Sequence, residues 1–357
     1  MRSLGLASAA IALVWIIAAS QWILTDTVVP WDAKNQSYAF FRFLASSIHA
    51  GSMPFWNPYH YGGHPSVADP QSLIFAPVFM IWGLFDATPS MLVFDLIVHA
   101  HLLVGGLALG ALGWRMGWPV PAAVLAAVVF MLGGPASGRL QHTGMILSYA
   151  LFPPALLLLS LALQRRSMLM AAAFAAVAAL LILERNHASL LLCFALAAVL
   201  IGEIVSATER WRWLRERRAA FTVMAIVSVL LLVAPLLLTM QFAALSNRPE
   251  VPLDKALEAS LYPANLASMA VANVMGSLEN TQTYWGPNYD TLPEVGATDR
   301  SFNYLFVGIT TVIVLLWFGI AGGGLLRRGR RLLTGVLFVA LLYMLGRYTP
   351  LYALAFD

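Results

Sequence analysis

Charge is scarce in this chain: only 11% of its 357 residues are charged, whereas 60% are hydrophobic. A soluble domain of this length does not have such a composition, so the sequence indicates a protein that spans a membrane several times. Alternation of apolar and polar residues is also missing, and the apolar runs are continuous instead, which excludes a β-barrel. The single cysteine, Cys193, lies within an apolar run, so no disulfide can form within the chain.

Nine apolar segments predict an all-α bundle of about nine transmembrane helices. They are residues 4–24, 91–112, 121–133, 145–163, 168–183, 189–206, 221–245, 302–326 and 332–345. The first is long, holds Trp15 and Trp22, and has no small-residue cleavage site before the polar loop, so we expect an uncleaved span. Without a convincing repeat or a low-complexity linker, the sequence predicts a single transmembrane domain over residues 1–357.

One apolar run, residues 72–85, is too short to cross a hydrocarbon core of about 30 Å, and Pro77 interrupts it. If this run does not cross, Arg165, Arg166 and the arginines of residues 210–218 join the other arginine clusters on the cytoplasmic side. The charge pattern therefore predicts an interfacial or re-entrant helix here. Two large loops, residues 25–90 and 246–301, are then extracytoplasmic.

The first loop concentrates the polar chemistry of the chain. Asp32 follows the first span and Asp69 precedes the next apolar run, so both lie near the membrane border. Ionisable groups held there indicate a functional site, because they are costly near hydrocarbon. The alternative is an ordinary solvated loop. Within it, Tyr38, Phe41 and Ala45 recur at helical spacing, which predicts an amphipathic helix along the membrane.

A pair of ionisable residues also lies inside the second predicted span. Asp95 and His99 are four residues apart and share a helix face. A proton-coupled transporter would place such a pair in this way. A buried, hydrogen-bonded strut is the interpretation that we favour.

The motifs of the first loop resemble those of the YfhO-like bacterial membrane proteins, which belong with the GT-C glycosyltransferases. The matching residues are Asp32, Gly51-Ser-Met-Pro-Phe-Trp-Asn-Pro-Tyr, Gly62-Gly63-His64-Pro65 and Asp69-Pro70-Gln71. Weaker matches follow in Ser137-Gly-Arg-Leu-Gln-His142, His187, Leu245-Ser-Asn-Arg248 and Tyr284-Trp285-Gly286. The resemblance implies a GT-C-like bundle in a bacterial inner membrane, in a short or C-terminally truncated form.

The resemblance also implies roles for individual residues. Asp32 stands where GT-C enzymes carry their catalytic aspartate and would act as general base, with Asp69 as a second acid. Arginine pairs well with phosphate, and aromatic rings stack on sugars. The candidate substrate-binding residues are Arg139, Arg185, Arg248, His64, His142, Trp56, Tyr59, Tyr284 and Trp285.

Each assignment has a structural alternative. Asp32 could cap the helix that begins near Ala33, and Asp69 could simply form an Asp-Pro turn. Arg185 and Arg248 could pair with Glu184 and Glu250, and tryptophan and tyrosine are common at membrane borders. A divalent metal such as Mg²⁺ or Mn²⁺ at Asp69 with His60 and His64 is an open possibility, without tight ligand spacing to indicate it.

Two function classes follow. The first is an inverting glycosyltransferase with an extracytoplasmic active face and a polyprenyl-phosphate sugar as donor. The second is a transporter or flippase of a lipid-linked or small polar substrate, or a non-catalytic subunit of envelope assembly. Membrane lipids are expected partners. Nucleic acid is not, because the net charge of +4 comes from arginines that flank the spans.

Overall fold

The computed structural model describes residues 2–246, 252–277, 283–287, 304–327 and 331–356. Within these ranges the chain is helical or irregular, and the only β-type pairing is an isolated bridge between Asn57 and His64. Arg248, one of the predicted phosphate ligands, lies outside the described residues.

Fourteen α-helices are described, in chain order α1 to α14. They are Arg2–Leu24, Tyr38–His49, Pro77–Gly83, Met91–Arg115, Val120–Leu132, Gly134–Ser137, Thr143–Arg165, Met168–Leu183, His187–Ser206, Arg210–Ala244, Leu253–Leu257, Ile309–Val314, Arg331–Met344 and Leu351–Phe356. Two π-helices, Ala33–Ser37 and Leu315–Ala321, precede α2 and extend α12, and three 3-10 helices are Pro263–Met269, Gly324–Leu326 and Gly346–Tyr348.

Six helices are long and apolar enough to cross a membrane. They are Ser3–Leu24, Met91–Arg115, Val120–Ser137, Thr143–Arg165, His187–Ser206 and Arg210–Ala244. The segment Val120–Ser137 takes α5 and α6 together. Three further apolar helices are shorter: Met168–Leu183, Ile309–Ala321 and Arg331–Met344. The predicted helical architecture with several candidate membrane spans is therefore confirmed, while the crossing of all nine segments stays a prediction.

The short run at residues 72–85 forms only one small helix, α3, of seven residues. At about 1.5 Å per residue it is roughly 10 Å long, far short of a span. It packs against α2, whose buried face is formed by Phe40, Phe41, Leu44 and Ala45. The predicted amphipathic helix and the predicted short helix of the first loop are thus both present.

The described residues form two compact units. Unit 1 comprises Met1–Met131, Leu140–Leu196 and Ile204–Asn247. Its helices approach closely where side chains are small, as membrane helices do. A Cβ added to Gly105 of α4 would lie 2.7 Å from the carbonyl oxygen of Ala150 in α7, and Ser148 donates a hydrogen bond to the Leu181 carbonyl of α8 at 3.0 Å.

The two ends of unit 1 differ in charge. At one end, Arg115 binds Gln164 at 2.6 Å, Arg166 pairs with Glu216 at 2.7 Å, and Arg217 donates to the Leu163 carbonyl at 2.9 Å. The first loop lies at the other end, where α4 and α7 begin and α8 ends. The arginine clusters and the first loop are therefore separated by the length of the helices, as the charge pattern predicts.

The orientation of unit 1 in the membrane is a testable prediction. Trp211 and Tyr59 are 82% and 86% exposed and lie at opposite ends of unit 1, so cysteines placed there can react with a reagent in solution. In a Cys193→Ser background, we expect Tyr59→Cys to be labelled from outside intact cells and Trp211→Cys only after the membrane is opened. Labelling of Trp211→Cys in intact cells would contradict the predicted orientation.

Unit 2 comprises Leu132–Arg139, Ala197–Glu203 and the described residues from 252 onward. The Gly134 amide donates to the Phe306 carbonyl at 2.6 Å, and the Leu261 amide donates to the Met344 carbonyl at 2.8 Å. Backbone bonds therefore tie α6 to the chain before α12, and the start of the Pro263–Met269 turn to the end of α13.

Candidate functional site

Asp32 lies at the beginning of the π-helix Ala33–Ser37 and is exposed. Trp31 before it has a left-handed backbone with φ of 57°, and its carbonyl accepts the Asn35 amide at 2.7 Å. The Asp32 side chain makes no capping hydrogen bond. The capping alternative therefore finds no support in this geometry. π-Helical turns are rare and are frequent at functional sites.

Asp69 is paired with His64. Asn57 and His64 exchange backbone hydrogen bonds of 2.9 and 3.0 Å, which close a tight loop between them. Gly63 has a φ of +111°, and a side chain there would meet the Trp56 ring at 2.8 Å. This loop presents His64 Nε2 to Asp69 Oδ2 at 3.0 Å, with both side chains largely buried. A carboxylate in this position fixes the orientation of an imidazole.

A glutamine pair connects the turn of Asp69 with the helix that begins at Asp32. Gln36, in the π-helix, donates to the Gln71 side chain at 2.7 Å. The backbone N–H of Gln71 in turn donates to Asp69 Oδ1 at 2.8 Å. The two predicted acids thus lie on segments that are bonded to each other. The sequence analysis assigned no role to either glutamine, although Gln71 belongs to the Asp69-Pro70-Gln71 motif.

Arg185 anchors the same loop to the spans. Its guanidinium donates to the carbonyls of Asp69, at 2.7 Å, and Ala68, at 3.4 Å, and to the hydroxyl of Thr239 in α10. Its Nε donates to the Leu183 carbonyl at 3.1 Å. Because most of its five N–H donors are taken by the protein, Arg185 acts first as a clamp on the first loop.

The clamp departs from the predicted pairing of Arg185 with Glu184, because backbone carbonyls and a threonine accept the hydrogen bonds of the guanidinium. Phosphate binding by Arg185 stays a prediction. Thr239 also donates to the Ala68 carbonyl at 3.2 Å. Thr239 was missed because a single threonine in an apolar run carries no signal of a partner 171 residues away.

An apolar cavity of about 550 Å³ lies against the first loop within unit 1. Its wall is formed by the α3 region, by leucines of α7 and α8, by His101 of α4 and by Glu184. The lining residues are Ala76, Pro77, Val78, Ile81, Trp82, Phe85, His101, Leu147, Leu151, Leu180 and Glu184. Glu184 immediately precedes Arg185, so the cavity adjoins the clamp on Asp69.

Glu184 is a buried carboxyl at the end of α8. Burial raises its pKa to about 8, although the neighbouring Arg185 charge acts to lower it. The folded protein therefore holds a proton there that an unfolded chain, with its ordinary pKa of 4.5, releases. Desolvation of the charged form is the physical cause.

The raised pKa of Glu184 predicts a pH-dependent stability. Between about pH 4.5 and pH 8 the folded state binds more protons than the unfolded state, so the free energy of unfolding falls as pH rises through this window. Glu184→Gln cannot ionise and should lose most of this slope. Thermal unfolding in detergent across the window checks it, with the exposed Glu209→Gln as matched control. Equal slopes in wild type and Glu184→Gln would contradict the prediction.

A second, more polar cleft of about 440 Å³ lies beside the tight loop. Its polar lining includes Arg42, Asn57, Tyr59 and His60. Tyr59 and Trp56 are 86% and 58% exposed, so their rings are available for stacking on a sugar. Sequence reasoning did not assign Arg42, whose place between the apolar positions of α2 was the one available sign.

The remaining candidate substrate-binding residues lie outside the first loop. Arg139 and Trp285 belong to unit 2, and Trp285 is 62% exposed. Tyr284 is buried in unit 2, with its hydroxyl directed to the Pro287 carbonyl at 3.4 Å, so its ring offers no face to a sugar. His142 is half-buried in unit 1, directly before α7.

Among the described residues, no group of three or more His, Cys, Asp or Glu side chains comes together in a way that could hold a metal ion. Asp69 and His64 form a pair, with the His60 ring 5.2 Å from that of His64. The contact between Asp69 and His64 is therefore a hydrogen-bonded pair and not part of a set of metal ligands among the described residues.

No family model, no curated protein and no solved structure matches this chain.

Proposed function

We propose that this protein is an integral-membrane glycosyltransferase that moves a sugar from a polyprenyl-phosphate donor to an acceptor on the side of the first loop. The acceptor hydroxyl attacks the anomeric carbon as the bond from that carbon to the phosphate oxygen breaks, which inverts the configuration. The acceptor proton passes to the Asp32 carboxylate, and the polyprenyl phosphate leaves as an anion.

The observation that carries this proposal is the apolar cavity against the first loop. Its volume of about 550 Å³ lies within the range of about 300–1,000 Å³ that is typical of small-molecule sites. A prenyl chain needs an apolar channel that ends close to polar chemistry. Glu184 at the cavity wall and Arg185 on the Asp69 turn bring those two environments together.

Two further features support the proposal. Asp32 is exposed and free of a capping bond, as a base that receives a proton from a substrate must be. The polar cleft in the same loop offers exposed Arg42 and the ring of Tyr59, which suit a phosphate and a sugar respectively. Because the donors of Arg185 are engaged with the loop, we assign the phosphate to Arg42 and to the predicted ligand Arg248.

Photo-crosslinking tests the cavity assignment. A polyprenyl-phosphate sugar with a diazirine in its prenyl chain should label residues 76–85 and Leu147 or Leu151. Leu151→Trp overfills the cavity, and overpacking costs about 1–3 kcal/mol, so labelling should fall roughly tenfold. Leu230→Trp is the matched control, because Leu230 is 75% exposed on α10. Labelling that is equal in the two variants would contradict a prenyl site in this cavity.

A further inference from the structure

Asp95 is a carboxylate buried within a membrane-spanning helix, with 1% of its surface exposed. A carboxylate there is costly unless a hydrogen bond compensates it. Its Oδ2 accepts the backbone amide of Val29 at 3.1 Å, across 66 positions of sequence. The contact joins α4 to the chain that leads out of α1 into the first loop.

Val29 stands three positions before Asp32, on a path with little freedom. Val29 is itself buried, Pro30 follows with a fixed φ, and Trp31 has the left-handed φ of 57°. The Trp31 carbonyl then accepts the Asn35 amide and begins the π-helix. A bond that fixes Val29 therefore fixes the position from which the Asp32 side chain projects.

His99 and Trp22 complete the surroundings of Asp95. His99 Nδ1 donates to the Asp95 carbonyl at 2.7 Å, and Trp15 donates to the His99 carbonyl at 2.8 Å. The Trp22 and His99 rings are in contact, with centroids 4.1 Å apart. These contacts fix how α1 lies along α4.

Three buried polar atoms in this cluster have no hydrogen-bond partner within the part of the chain that the structure describes: Asp95 Oδ1, His99 Nε2 and Trp22 Nε1. A carbonyl only accepts, so His99 Nδ1 carries a proton and Nε2 of the neutral ring is an acceptor. The cluster thus presents two acceptors and one donor.

We propose that Asp95, together with His99 and Trp22, is a positioning device that holds Val29 and thereby sets the place of the Asp32 carboxylate. Asp95 does not touch the substrate; it acts through the backbone. The catalytic consequence rests on the proposed glycosyl transfer, whereas the anchor itself does not.

Hydrogen exchange of the full chain in nanodiscs tests the anchor without any substrate. Asp95→Leu removes the acceptor of the Val29 amide, so exchange in residues 25–37 should become at least about tenfold faster. Asp95→Asn keeps an oxygen that can accept the bond and should stay close to wild type in this segment. Asp86→Leu is the matched control, because Asp86 accepts the Thr88 amide at 2.9 Å in the same loop, away from Asp32.

Unchanged exchange of residues 25–37 in Asp95→Leu would overturn the anchor. If that protein does not fold, Asp95→Ala, which also lacks the acceptor of the Val29 amide, takes its place, and unchanged exchange of residues 25–37 in it would do the same.

Transfer kinetics test the consequence. In an active enzyme, Asp95→Leu should lower kcat about tenfold or more with the donor KM unchanged, because the apolar cavity is untouched. Faster exchange in residues 25–37 with an unchanged kcat would overturn the positioning role. A wild-type protein that transfers no sugar would refute the proposed function, while the exchange data would still decide on the anchor.

Discussion

Asp32→Asn should reduce sugar transfer at least about a hundredfold, because general-base contributions are roughly 10²–10⁴-fold. Asparagine keeps the shape and hydrogen-bonding capacity of the side chain but cannot take the acceptor's proton. Donor binding should survive, since the prenyl chain and phosphate are held by other residues. Initial rates with a radiolabelled polyprenyl-phosphate sugar in proteoliposomes, together with donor binding by the same variant, measure both.

A matched control is available in the same loop. Asp26 is also exposed and lies before Asp32, so Asp26→Asn removes the same charge without touching the predicted base. Asp32→Asn that transfers as fast as Asp26→Asn would end the catalytic assignment. A capping role predicts a different pattern, in which asparagine is silent and Asp32→Ala costs about 1 kcal/mol of stability.

Arg185→Ala should destabilise the protein by roughly 1–3 kcal/mol and loosen the first loop, because it removes the charged donor of buried carbonyls. The substitution leaves the carbonyls of Ala68 and Asp69 without their charged donor, and it removes a cation that lies 5.4 Å over the Phe75 ring. Arg185→Lys keeps the charge but has no planar fork, so we expect an intermediate loss. Thermal unfolding in detergent and limited proteolysis of the first loop measure the two effects.

Exposed Arg210 at the other end of unit 1 is the control for Arg185. Arg210→Ala removes an exposed arginine that donates a 3.4 Å hydrogen bond to the Val205 carbonyl. Its effect should be within about 1 kcal/mol. An Arg185→Ala protein that is as stable and as resistant to proteolysis as Arg210→Ala would contradict the clamp.

Hydropathy alone predicts much of the fold. The segment at residues 168–183 coincides with α8, and the run at residues 72–85 contains the short helix α3, as its length and Pro77 indicate. Burial of Phe41 and Ala45 follows from their helical spacing. These features are local, so a window of sequence contains their cause.

Contacts between residues that are far apart in the sequence could not be predicted in the same way. Asp95 as an acceptor for Val29, and Thr239 as a partner of Arg185, depend on which helices pack together. The family resemblance suggested Tyr284 as a surface for sugars, but tertiary packing buries it. The exposure of Asp32 without a cap likewise depends on a π-helical turn that no residue pattern announced.

The most direct test of the proposed function is a structure of the full chain in nanodiscs with a non-hydrolysable polyprenyl-phosphonate sugar. The account predicts the prenyl chain in the cavity beside α3, the phosphonate near Arg42, and the anomeric carbon facing the Asp32 carboxylate. A sugar held midway along the spans, remote from Asp32 and with the cavity beside α3 unused, would contradict glycosyl transfer and favour transport.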